Sequence, residues 1–342
     1  MSIITVGIDL AKNVFAVHGV DEIGKVVLAK PKVARDQLAP LIAQLPPCTI
    51  GMEACSGAHH WARLFRRHGH SVKLMAPKFV APYRMSGKRG KNDAADAAAI
   101  CEAVTRANMR FVPIKEEAQQ NILCLHRTRQ GFVEERTATY NRLRGLISEF
   151  GVVLPQKVTC LRRAIHSQLE NLPPLVNRCV GDLLAHADRL DELITGYDLA
   201  IAQAARADAR SKRLMQLPGI GPTTASALVA SIGSGHDFAN GRQVAAWIGL
   251  TPSQYSSGGK ARLGRITKAG DPYLRSLLVM GARAILASLA NKQDRFSRWA
   301  RELEHRRGYW RAVVAIAAKN ARLAWAALKL GDDFRLLKSA AT

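Results

Sequence analysis

Two short apolar runs that each end in a carboxylate constrain this chain more than any other feature. Ile3-Ile4-Thr5-Val6-Gly7-Ile8 leads into Asp9 within GIDLAK, and CTIGMEA at 48–54 carries Glu53. A short apolar run bounded by turn signals reads as a buried strand, and α/β sheets hold their ligands at the C-terminal strand ends. Adjacent placement of the two strands would bring Asp9 and Glu53 to one sheet edge. The surrounding pattern agrees: a second strand is expected near Lys25–Ala29, a helix over Asp36–Gln44 stopped by Pro46-Pro47, and another over Trp61–His68 ended by Gly69. Val72–Met75 reads as a strand, Asp93–Thr105 as an Ala-rich helix and RFVPI at 110–114 as a closing strand. Residues 1–114 therefore read as an α/β domain.

The Ala-rich helix begins KNDAADAAA, with Asp93 and Asp96 three residues apart. At that spacing they share a helix face, with Cβ atoms ~5–6 Å apart. Magnesium takes hard oxygen ligands, and two-metal sites with ions ~3.5–4 Å apart clamp the attacking and leaving oxygens of phosphoryl transfer. Each acid alone has an ordinary explanation: Asp9 as a turn residue, Asp93 as an N-cap, Asp96 as a first-turn charge on the helix dipole. Two strand-end acids and a helical acid pair in one basic domain point instead to a metal-dependent phosphoryl-transfer site.

The charge supports a polyanionic partner. Fifty Lys+Arg against 27 Asp+Glu leave a net +23, and nucleic acid suits this better than a membrane surface because the basic residues are spread through the chain. No run of ~18 apolar residues is present and no signal segment is recognisable, so no membrane partner is expected. The six cysteines form no CxxC pair, and His59, His60, His68 and His70 match no zinc spacing. Free thiols in a reducing compartment and surface or core histidines are expected.

Residues 115–213 read as long polar helices. Val176, Val180, Leu183, Ala187, Leu190, Ile194, Tyr197 and Ile201 alternate spacings of four and three. This seam fits a coiled coil that builds an oligomer and equally a helical hairpin with the preceding helix, since a seam does not say whose chain supplies its partner. Residues 214–342 read as mostly helical, and Gly241–Thr342 alone carries 19 Lys+Arg against 6 Asp+Glu. LPGIGPTTA at 217–225 reads as a helix-hairpin-helix turn, with Gly219, Gly221 and Thr223 as candidate phosphate contacts or as a plain interhelical turn. Further on, Ser256-Ser257-Gly258-Gly259 is flanked by Lys260, Arg262, Arg265 and Lys268, with Arg275 beyond; the loop RMSGKRGKN adds Lys88, Arg89 and Lys91. Composition alone makes the serines part of a Ser/Gly loop beside a DNA-contacting face.

In this order and spacing, GIDLAK, GMEACSG, GKNDAADA, LPGIGPTTA, AAWIGLTPSQYSSGG and RITKAGDPYLR resemble the IS110 family of insertion-sequence transposases, with its IS1111 subgroup, over nearly the whole chain. The resemblance implies an RNase H-like (RuvC-like) domain with a four-carboxylate site at Asp9, Glu53, Asp93 and Asp96, a helical coiled-coil linker, and a C-terminal transposase domain. It implies that Ser257 is the catalytic serine, forming a covalent phosphoserine link to DNA, with Ser256 one register away. Magnesium, element-end and target DNA, an element-encoded guide RNA, and sites shared between protomers of a homodimer or homotetramer are implied as well. A bacterial, nucleoid-associated cytoplasmic location follows from the same resemblance. A stand-alone RuvC-like junction nuclease and a non-catalytic nucleic-acid-binding protein are the alternatives.

Overall fold

The computed structural model describes residues 2–84, 93–167, 172–290 and 292–331. They fall into two compact units divided after Glu116.

The first unit is built on a six-stranded sheet. Strands β1 (Thr5–Asp9), β2 (Val14–Val20) and β3 (Val26–Ala34) form an antiparallel meander, and β4 (Thr49–Glu53) and β5 (Ser71–Met75) add in parallel beside β1. The short β6 (Phe111–Val112) closes the far edge antiparallel to β5, giving the order β3-β2-β1-β4-β5-β6. Strand β2 was not anticipated from the sequence. Helix α1 (Arg35–Ala43) and α2 (Ala58–Arg67) contribute Leu38, Ile42, Trp61 and Phe65 to a core with Val6, Ile8, Ile50, Met52, Val72 and Leu74. After the single turn α3 (Pro77–Val80), helix α4 (Asp93–Val104) packs on the sheet, and its Ile100, Ala103 and Val104 join a second apolar cluster with Met75 and Val80.

Two glycines let α4 approach. A Cβ on Gly7 would lie 2.2 Å from the Ala97 carbonyl oxygen and 2.4 Å from the Cys101 nitrogen, and one on Gly51 would meet the Val104 side chain at 2.8 Å. Successive side chains alternate faces along a strand, so Asp9 and Glu53, two residues beyond these glycines, project toward the face that α4 covers. The topology agrees with the RNase H-like expectation.

Among the described residues, the second unit is helical apart from one hairpin. Helix α5 (Glu117–Ser148), α6 (Val158–His166) and α7 (Pro174–Ala207) precede α8 (Ala209–Leu214), α9 (Pro222–Ile232) and α10 (Gly241–Trp247). Strands β7 (Pro252–Gln254) and β8 (Leu263–Ile266) pair antiparallel, and α11 (Pro272–Ala287), α12 (Arg295–Arg307) and α13 (Tyr309–Leu330) follow.

The seam on α7 packs in part within the chain, as the helical-hairpin alternative expects. Val180 and Ala187 are buried with Tyr140, Leu143 and Ile147 of α5 and Leu161 and Ile165 of α6. Ion pairs lace the two long helices antiparallel: the Arg129 guanidinium reaches both Asp198 oxygens, Arg136 pairs with Asp191, and His186 faces Glu135. Helix α5 lies in the same unit as the C-terminal helices. Gln119 donates to the Ala230 carbonyl at 3.1 Å, and the His126 ring lies between Ser226 Oγ (2.8 Å) and the Tyr273 hydroxyl (2.9 Å). His126 is buried, which pushes its pKa down to about 4 and keeps the ring neutral.

Candidate active site

The acids of the first unit are placed by the sheet and by α4. In β1 and β4 the register pairs Ile8 with Met52, so Asp9 and Glu53 stand one step further on at the same edge. Ala97 lies over Gly7, and α4 therefore carries Asp96, and Asp93 one turn earlier, toward the Asp9 end of β1. Arg84, which the sequence reading treated only as the start of a basic loop, sits among them. Its Nη2 donates to Glu53 Oε1 at 2.9 Å and its Nε pairs with Asp96 Oδ1 at 2.9 Å.

The electrostatics record the crowding. Burial, then Asp96, Asp93 and Glu53, push the Asp9 carboxyl from its ordinary 3.8 up to about 6, with Arg84 opposing. Burial, with Glu53 and Asp9 behind it, also raises the Cys55 thiol. The four acids are thus gathered, but among the described residues no three His, Cys, Asp or Glu side chains are grouped closely enough to hold a metal ion. The donor set nevertheless fits one. All four are hard oxygen donors suited to magnesium, Asp9 is destabilised as an anion by burial and by the three neighbouring acids, and a guanidinium already bridges two of the four.

Ser257 lies in the β7–β8 hairpin. Lys260 N–H donates to the Ser257 carbonyl at 3.1 Å across Gly258 and Gly259, whose φ values are 56° and 76°. Two positive φ angles in a two-residue turn require glycine-like residues, which explains the Gly-Gly pair. The neighbouring serines differ. Ser256 Oγ accepts from the Arg262 N–H at 3.0 Å and from Gln254 Nε2 at 2.9 Å, so it belongs to the hairpin's internal bonding. No hydrogen bond engages the Ser257 hydroxyl among the described residues, and the residue is exposed.

Lys260, Arg262, Arg265 and Lys268 are also exposed, and none pairs with a carboxylate among the described residues. Arg275 is partly committed, since its Nη1 donates to the Ile248 carbonyl at 2.9 Å. Gly219 has a φ of 71° and packs against Gly281 of α11, where a Cβ would come within 2.5 Å of a backbone oxygen. Gly221 begins α9 without a side-chain cap, Thr223 follows in its first turn, and Asn320 holds the turn by donating to the Pro218 carbonyl at 2.8 Å. Lys88, Arg89 and Lys91 lie outside the described residues. All six cysteines are free, and His70 is satisfied in the core between the Cys48 N–H and the Ile42 carbonyl.

Comparison with known proteins decides the family. A family model of the DEDD type of IS110 transposase matches residues 6–151, which include all four acids, and one described as Transposase IS116/IS110/IS902 family matches 211–298, which include Ser257. A probable family 20 transposase of Pseudomonas aeruginosa is 44% identical over 98% of this chain and 99% of its own. The chain belongs to the IS110 family of transposases. The transposase for insertion sequence element IS1111A of Coxiella burnetii is 40% identical over 96% of this chain and 90% of its own. That for IS1328 of Yersinia enterocolitica is 38% identical over 96% and 98%. Membership in this family makes the chain a DNA-processing enzyme. Among the described residues, no helix is long and apolar enough to cross a membrane.

Proposed function

We propose that this transposase excises and inserts its own element through a covalent phosphoserine intermediate on Ser257, with Asp9, Glu53, Asp93 and Asp96 as the ligands of magnesium. The observation that carries the reading is the contrast within the hairpin: Ser256 is tied into the fold, while the Ser257 hydroxyl is free beside the glycine turn and the cations Lys260 and Arg262. In the step proposed, Ser257 Oγ bonds to a DNA phosphorus and gives its proton to solvent. The bridging P–O bond to the adjacent sugar breaks, and the released sugar oxygen takes a proton. Attack by a sugar hydroxyl of the new partner strand reverses the sequence and restores the serine. Lys260, Arg262, Arg265, Lys268 and Arg275 hold phosphates and favour the charge that develops on the reacting one. Gly219, Gly221 and Thr223 offer a further phosphate contact at the α9 turn. Bound magnesium supplies Lewis acidity toward phosphate oxygen. A guide RNA encoded by the element and assembly as a homodimer or homotetramer complete the reading.

The test is trapping of protein–DNA adducts on element-end DNA with magnesium. Ser257→Ala should bind DNA as the parent does and form no adduct. Asp9→Asn should also form none, while Ser256→Ala should lose only part of the yield by loosening the hairpin. Adduct retained in Ser257→Ala and lost in Ser256→Ala would move the nucleophile to Ser256. Magnesium-dependent cleavage without any adduct would favour the junction nuclease, and DNA binding without cleavage the non-catalytic binder.

A further inference from the structure

The corner between α12 and α13 has a surface that neither the acids nor the serine hairpin uses. Helix α12 ends in His305-Arg306-Arg307, Gly308 turns the chain with a φ of 80°, and α13 opens with Tyr309-Trp310-Arg311; all seven residues are exposed. Trp310 leaves 66% of its surface in solvent, which runs against the usual burial of so large an apolar ring. The ring is held in a defined pose. Tyr309 stands edge-on at 5.2 Å, and the Arg283 guanidinium of α11 lies 5.9 Å from the Trp310 centroid. Arg283 also donates to the Tyr309 hydroxyl at 3.4 Å and to Met280 Sδ at 3.6 Å, and Met280 is itself exposed.

The Arg283 guanidinium is placed against this ring, and Arg306, Arg307 and Arg311 are exposed at the same corner. Among the described residues Arg283, Arg306, Arg307 and Arg311 form no ion pair with a carboxylate. Arg, Trp, Tyr and Met are common at protein interfaces, but four arginines without a carboxylate partner among the described residues, in a chain of net charge +23, complement a polyanion. Duplex DNA would satisfy the arginines but keeps its base faces inside the stack. A single strand presents both phosphates and an open π-face, and stacking on an aromatic ring is worth ~1–3 kcal/mol per base.

We propose that Trp310 is a stacking platform for an unpaired base of single-stranded DNA, with Arg306, Arg307 and Arg311 taking the flanking phosphates. The proposal rests on the reading that this transposase opens and exchanges DNA strands, which supplies such segments.

The experiment is fluorescence anisotropy of the full chain with a labelled 20-nucleotide single strand and with the duplex of the same sequence, at fixed salt. Trp310→Ala should weaken single-strand binding by about fivefold or more while changing duplex binding by less than about twofold. Trp310→Phe, which keeps a ring, should stay near the parent. Each Ala substitution at Arg306, Arg307 or Arg311 should lower the single-strand salt slope by about 0.7. An unchanged single-strand affinity in Trp310→Ala, or equal losses on single strand and duplex, overturns the platform. A loss confined to the same sequence as RNA overturns DNA as the occupant, and a fall in mass by light scattering with binding intact reassigns the surface to a second copy. Adduct formation on the same preparations separates the two ideas: a parent chain that prefers single strands through Trp310 but forms no adduct sinks the recombinase reading and leaves the platform standing.

Discussion

At Asp9 the fold works against the charged form, since burial and three neighbouring acids hold its pKa at about 6 against an ordinary 3.8. A carboxyl whose folded pKa lies above its unfolded value costs stability when ionised. The cost is complete above pH 6 and fades as pH falls through 6 toward 4. Asp9→Asn should therefore stabilise the metal-free protein at pH 7 by about 1–2 kcal/mol, after discounting for partial exposure, while abolishing strand transfer. Thermal melts in chelator at pH 7 and pH 4 check this: the gain should be present at the first and absent at the second. Adding magnesium should stabilise the parent and leave the variant unmoved. The acids were legible because strand ends and an i,i+3 pair are patterns of position. Arg84 was not, because nothing local in the sequence says that one arginine of a basic stretch folds back between Glu53 and Asp96.

At the scale of elements, the sequence marked a seam on α7 and left its partner open, and α5 of the same chain supplies part of that partner. Leu190 is buried, and Leu183 packs against the cluster that holds Leu143, Ile147, Val180 and Ala187. Replacing both by Asp places charge in an apolar interface without a counter-ion, a loss of at least about 3–5 kcal/mol. The variant should lose helical circular dichroism and unfold at lower urea. A variant that keeps its helicity and only halves its mass on light scattering would return the seam to an oligomer. Strand β2, VFAVHGV, escaped notice for a related reason. Its Gly19 and His18 interrupt the apolar pattern, and its place is fixed by pairing on both sides with β1 and β3. The β7–β8 hairpin was legible only as a small-residue turn, because its strands are short and exposed.

For the molecule as a whole, the net charge of +23 makes DNA affinity a function of salt. If Lys260, Arg262, Arg265 and Lys268 each hold a duplex phosphate, Ala at all four should lower the slope of log K against log salt by about 3.6, at ~0.9 per contact. An unchanged slope would exclude this face. The two-unit architecture also has a consequence during synthesis. The first unit ends at Glu116 and has its own core, so its acids can be in place soon after that residue leaves the ribosome. The clamp on His126 must wait for Tyr273, 147 residues later, an interval of about 7–30 s at ~5–20 residues per second. Translation thus delivers the acids well before the serine, and a nascent chain halted between the two carries the proposed metal ligands without the proposed nucleophile.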